Sequence, residues 1–142
     1  MNDWFECKVS YEKQLENGMQ KKVTEAYLVD ALSFTEAEAR VIENMQKYSS
    51  GEFSVEGVRK MRLSETFFNN SGDRFYRAKL SFIFLDEKSG MEKKKASHVL
   101  IEASSIKEAL TLLEDGMKGT MADYEIAAIV ETQIFDVFKY EN

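Results

Sequence analysis

The segment YLVDALSFTEAEA, Tyr27 to Ala39, returns as VLIEASSIKEALT, Val99 to Thr111. Both run an apolar stretch into an acid, an alanine and a serine, and then into a Glu-Ala pair. Repetition constrains a fold more than any single motif, because each copy must be a unit that packs with its twin. Extended outward at an offset of 71 or 72 residues, the matches continue. FECKVSY from Phe5 aligns with YRAKLSF from Tyr76, GMQKK from Gly18 with GMEKK from Gly90, and FSVEGV from Phe53 with YEIAAI from Tyr124. The order never changes. Residues 1–142 therefore read as a single domain made of two repeats, about 4–68 and 75–138, joined by the polar turn NNSGDR at 69–74.

Each repeat can be read physically. Phe5, Cys7, Val9 and Tyr11 alternate with Glu6, Lys8 and Ser10, the period of a half-buried strand. ENGM supplies an Asn-Gly hairpin turn, and the second copy carries the slightly longer EKSGM. A second strand places Tyr27, Val29 and Ala31 on one face, with Val99, Ile101 and Ala103 in the same places of the other copy. Then the period changes. Ser33 with Glu36, and Ser105 with Glu108, fit a capping box in which the glutamate reaches back to the cap amide. Phe34, Ala37, Val41 and Met45 form one helical stripe, and Ile106, Ala109, Leu113 and Met117 another. A long, bent strand is predicted last, about Phe53 to Phe67 and Tyr124 to Phe138, with Gly57 as a bulge site.

The unit is thus strand–strand–helix–strand, used twice. A crossover helix makes its flanking strands parallel, which places the first strand between the other two. The predicted class is α+β: a tandem β-β-α-β unit forming antiparallel or mixed sheets, both helices on one face, the copies related by a pseudo-two-fold axis. Whether the two copies share one sheet is left open by the residues.

Composition excludes several classes. Hydrophobic residues at 44% and charged residues at 31% describe an ordinary soluble globular chain. No apolar run approaches the roughly 20 residues that cross a bilayer, and the opening MNDWFECKV lacks the basic start and apolar middle of a secretory signal. Cys7 is the single cysteine, so no internal disulfide forms. Cytoplasmic residence without membrane contact is expected. The net charge of −6 divides evenly between the halves, so neither is a basic domain of the kind that grips phosphates without regard to sequence.

The repeat also serves as an internal control on candidate chemistry. Cys7 has Ala78 as its counterpart and sits on an apolar face, the setting of an inert buried thiol. His98, the only histidine, has Ala26. One cysteine and one histidine supply no typical zinc site, and DGMKGTM, Asp115 to Met121, is no phosphate-cradling loop. It reads as a helix terminus, or as an adaptable methionine-rich contact. Glu36 and Glu108 belong to the caps, while Glu38, Glu43, Glu114 and Asp115 read as solvated helix faces. No catalytic residue, metal or cofactor is assigned. The remaining candidates are Lys21 and Lys22, and Lys93, Lys94 and Lys95, which open the second strand of each copy. Lysines on an edge strand guard against aggregation. The alternative is an anion or nucleic-acid contact, with Lys8 and Lys79 nearby and Trp4 and Tyr140 as exposed rings for stacking.

WFECKV, NGMQKKVTEAYLVDALSFTEAEARVIE and GMKGTMADYEI together resemble an uncharacterised bacterial family of short proteins, a domain of unknown function whose members are often phage-like or carried on mobile elements. The resemblance covers nearly the whole chain. It implies a viral or mobile-element ancestry and assigns no reaction or ligand. The expectation is a non-enzymatic binding or assembly module with a protein partner or self-association. The alternative is a single-stranded nucleic-acid-binding protein that uses the paired lysine clusters. An enzyme with an unfamiliar site between the copies is the third reading.

Overall fold

In the computed structural model, residues 3–48, 51–70 and 72–139 are described. The alternating segments form strands β1 (Asp3–Gln14) and β2 (Gln20–Ala31), and the capped stripe forms helix α1 (Phe34–Tyr48). Strands β3 (Phe53–Met61) and β4 (Glu65–Phe67) follow. The order then recurs as β5 (Arg74–Leu85), β6 (Glu92–Ala103), α2 (Ile106–Gly116), β7 (Asp123–Glu131) and β8 (Ile134–Phe138). The protein is α+β, with eight strands in two mixed four-stranded sheets and two helices among the described residues. Among the described residues no helix is long and apolar enough to cross a membrane.

Local chemistry closes each unit. In the first hairpin the Leu15 amide donates to the Met19 carbonyl at 2.7 Å, and Asn17 Oδ1 accepts from the Met19 amide at 3.0 Å. In the second, Asp86 takes this role, its Oδ1 accepting from the Lys88 amide at 3.1 Å. Ser33 and Ser105 cap their helices, each Oγ accepting from the amide three residues on at 3.1 Å. The glutamates reach one residue further back than a capping box requires: Glu36 accepts from the Leu32 amide and Glu108 from the Ser104 amide. A cap contributes about 1 kcal/mol. Fully burying one aliphatic side chain contributes about 1.5–3 kcal/mol, so packing outweighs capping in holding the helices.

Each helix lies on one sheet face. Ala37, Val41 and Met45 of α1 pack with Phe5, Cys7, Val9, Tyr27 and Val29, while Ala109 and Leu113 of α2 pack with Ala78, Leu80, Val99 and Ile101. The first residue of each stripe departs from expectation, because Phe34 and Ile106 overhang the sheet and are about half exposed. Leu28 and Leu100 are fully buried on the face away from their helix. The near-continuous apolar runs AYLV and VLI belong to strands covered on both sides.

In the first sheet the order is β3-β1-β2-β8, and in the second β7-β5-β6-β4. Strand β1 is antiparallel to both neighbours, so β2 and β3 are parallel across the α1 crossover, as expected. The register slips by one between Lys8 and Val9, opposite Glu56 and beside Gly57, and again between Lys79 and Leu80.

The long final strands are divided. Strand β3 ends at Met61, and its continuation β4 pairs in parallel with β6 rather than within the first sheet. Strand β7 ends at Glu131, and its continuation β8 pairs in parallel with β2. In its own sheet the tail of β3 could reach the free edge of β2 only by crossing β1. The chain thus forms two compact units, Met1–Arg62 with Gln133–Asn142, and Leu63–Thr132. The second is contiguous, and the first is completed by the last strand of the chain.

Candidate functional site

The five lysines open β2 and β6, where the sheets narrow. Pairing of β1 with β3 stops at Tyr11–Phe53, so Lys21 and Lys22, opposite Lys13 and Glu12, stand on a two-stranded ribbon. Alternation divides them. Lys22 and Lys94 lie on the face away from the helices, while Lys21, Lys93 and Lys95 share the parity of the core residues. Carboxylates answer three of them: Glu56 to Lys22 at 3.7 Å, Asp86 to Lys93 at 2.7 Å and Glu125 to Lys94 at 3.3 Å. Hydrogen bonding from Lys93 and from the Lys88 amide holds the Asp86 carboxyl below its usual range. Lys21 and Lys95 have no carboxylate partner among the described residues. Lys79 pairs with His98, four positions along β5 from the partner of Lys94, roughly 13 Å away. It does not join the cluster. Trp4 is half-buried rather than exposed, and Tyr140 lies outside the described residues.

In unit 2 these lysines border an open sheet edge. Strand β4 covers β6 only at Val99–Ile101, and the Ser64 amide extends that pairing by one bond, to the His98 carbonyl at 2.8 Å. The His98 carbonyl therefore points outward, and strand alternation points the amides and carbonyls of Ala96 and Lys94 the same way. These have no backbone partner among the described residues, and Glu92–Ala96 is exposed throughout. Beside this edge, on the helix side of the sheet, is a cavity of about 480 Å³. Phe67, Leu80, Phe82, Val99 and Met117 form its apolar wall. Ser64 and Ser97, their hydroxyls 2.5 Å apart, stand on its β6 side, and Lys118 and Thr120 close it from the loop after α2. Gly116 allows that loop to approach, since a Cβ there would lie 2.6 Å from the Phe67 ring. The segment Asp115–Met121 is thus a helix terminus and loop, and it walls a cavity.

Unit 1 places different chemistry at these sheet positions. Glu25 stands where β6 has Ser97, Tyr27 where it has Val99, and Tyr11 opposite Val23 where Phe82 faces Lys95. Both phenols donate to the one carboxylate, Tyr11 to Oε1 at 2.6 Å and Tyr27 to Oε2 at 2.5 Å. Phe138 stacks on Tyr27 with ring centroids 5.0 Å apart. The hydrogen bond to Glu25, then burial, pushes the Tyr11 hydroxyl up to about 12. Burial, then the same carboxylate, raises Tyr27 further. A phenol whose folded-state value exceeds its unfolded value stabilises the fold below the unfolded value and loses that contribution as pH rises. Unfolding followed in urea from pH 9 to 12 is therefore expected to show stability falling from about pH 10 upward. Tyr11→Phe should flatten this slope, and an unchanged slope would remove the triad from the account.

The other candidates are dispersed. Cys7 is fully buried, and burial, followed by Glu38 and Glu6, pushes its thiol up to about 12, far from the thiolate that reacts. His98 lies on the opposite face of another unit, its ring held below the usual value by burial and then by Arg77 and Lys79. Glu38, Glu43, Glu114 and Asp115 are exposed, and Asp115 pairs with Lys118 at 3.1 Å. Among the described residues no group of three or more metal-ligating side chains converges.

The open edge and its cavity were missed in the sequence, although the signal was present. Strands β2 and β6 differ in size and polarity at Glu25 and Ser97 and at Tyr27 and Val99, as they also do at Val23 and Lys95 and at Ala26 and His98. No curated protein matches the chain. A domain of unknown function, DUF4494, matches residues 3–140, and the chain belongs to that family.

Proposed function

We propose that the protein is a non-enzymatic binding module that receives a protein segment on β6 of unit 2. The observation that supports this is the exposed, unpaired edge at Glu92–Ala96 alongside the cavity. Main-chain bonds along an open edge give affinity, and a neighbouring pocket selects a side chain. Three consecutive lysines also guard such an edge. A guard by itself leaves the adjoining cavity unexplained. The nucleic-acid alternative has less behind it, because the lysines divide between two faces and three of the five are answered by carboxylates. We read the two units as copies of one ancestral unit: among the described residues β2 is also uncovered before Ala26, but Glu25 and Tyr27 stand there at the positions that line the cavity beside β6. The phage-like resemblance agrees with a role in assembly.

The test is a panel of random peptides displayed against the full chain. Ala96→Pro is the control. The Ala96 amide points away from β5, so proline removes a donor from the open edge without breaking the ladder. Peptides that bind the natural chain and lose binding on Ala96→Pro are expected. A panel from which no such peptide emerges would sink the proposal.

A further inference from the structure

We infer that the segment bound by β6 is an extended acidic peptide with one large apolar side chain. This rests on the reading of β6 as a receiving edge. Glu92–Ala96 leaves room for about five residues, roughly 17 Å of strand, in line with β4. On the face of β6 that carries the cavity, the unpaired cation is Lys95, next to Ser97 at the cavity. A strand laid on this edge sends alternate side chains to that face. One of them faces the cavity, whose wall is apolar at Phe67, Phe82 and Val99. Its neighbour on the same face meets Lys95. Carboxylates suit that position, whereas Lys118, at the loop, is already paired with Asp115. Glu65, at the β4 end, disfavours acids there and orients the charged part of the peptide toward Lys93 and Lys95. A second copy of the same edge is a poor occupant, since its own lysine run would be opposed to this one.

The experiment measures fluorescence anisotropy of labelled peptides on the full chain at low and high salt. One peptide alternates glutamate with residues flanking a central phenylalanine, a second carries lysine in place of each glutamate, and a third is neutral. The acidic peptide is expected to bind best and to weaken with salt. Lys95→Glu should weaken it about tenfold, the size of one rim charge pair reversed. Thr120→Trp, which puts a large ring at an exposed residue lining the cavity, should weaken the phenylalanine peptide and leave a peptide with alanine at that position unchanged. Circular dichroism checks that each variant folds. Equal binding of all three peptides, still lost on Ala96→Pro, overturns the acidic ligand and leaves the receiving edge intact. Concentration-dependent dimers that disappear on Ala96→Pro overturn it in favour of a second copy. Binding by no peptide, of any charge, overturns both readings.

Discussion

Replacing Gly72 with alanine is expected to lower the unfolding free energy by about 3 kcal/mol, the upper end for an overpacked site. A Cβ at residue 72 would lie 2.5 Å from the Cα and the nitrogen of Ala103 and 2.6 Å from its carbonyl carbon. The opposing atoms are backbone at the end of a buried strand, so no side chain can swing aside. The join that carries Gly72 is otherwise fastened by Glu102, whose Oε1 accepts from the amides of Asn69 and Asn70 at 3.1 and 2.9 Å. Strand β5 then starts directly opposite Ala103, with Arg74 as its register partner. Displacing residue 72 therefore shifts the first rungs of the β5–β6 ladder. Gly57→Ala is the matched control, because a Cβ at that position meets nothing within 4 Å. Equilibrium unfolding in urea should separate the two variants widely. A loss at Gly72 no larger than at Gly57 would mean that the join yields freely.

Gly72 shows where sequence reading ends. In NNSGDR it is one polar-turn residue among six, and nothing in its neighbours signals a strand end from elsewhere in the chain. What was legible is local in origin. Hairpins, helices, both serine caps, the bulge beside Gly57 and the central position of β1 follow from periodicity, turn residues and the crossover rule. The division of the lysines was also within reach, since strand alternation alone sets Lys94 against Lys93 and Lys95. Leu28 and Leu100 were harder, because a residue between two core positions reads as solvent-facing until both faces are known to be covered. The cavity was hidden for a related reason. Ser97 and Val99 register as small only once β6 has been set against β5 and the loop at Gly116, whereas Tyr27 and Glu25 fill the matching positions of β2. The destination of the two strand tails was least legible of all. Thr66-Phe67 and Val137-Phe138 suit either receiving edge, and only topology assigns them.

That assignment makes Ile134 informative. Ile134→Ala is expected to cost about 2–5 kcal/mol, as for other buried isoleucines, since only 5% of the side chain is exposed. The location of the damage matters more than its size. Ile134 follows β7 by only two residues, yet its register partner is Ala26 of β2, and the rest of β8 pairs with Tyr27–Val29. Loosening β8 also frees Phe138 from its stack on Tyr27, which carries the phenol bound to Glu25. Native-state hydrogen exchange should therefore show lost protection at Leu28 and its neighbours, and in the Tyr11–Glu25 region. Val99–Ile101 of β6, covered by β4, should keep theirs. If the tail of β7 instead belonged to the sheet of β7, the losses would fall on β6 and spare β2. The same substitution thus reads out which edge the tail of β7 completes; the other tail, β4, is only three residues long and covers Val99–Ile101, so β6 stays open at Glu92–Ala96.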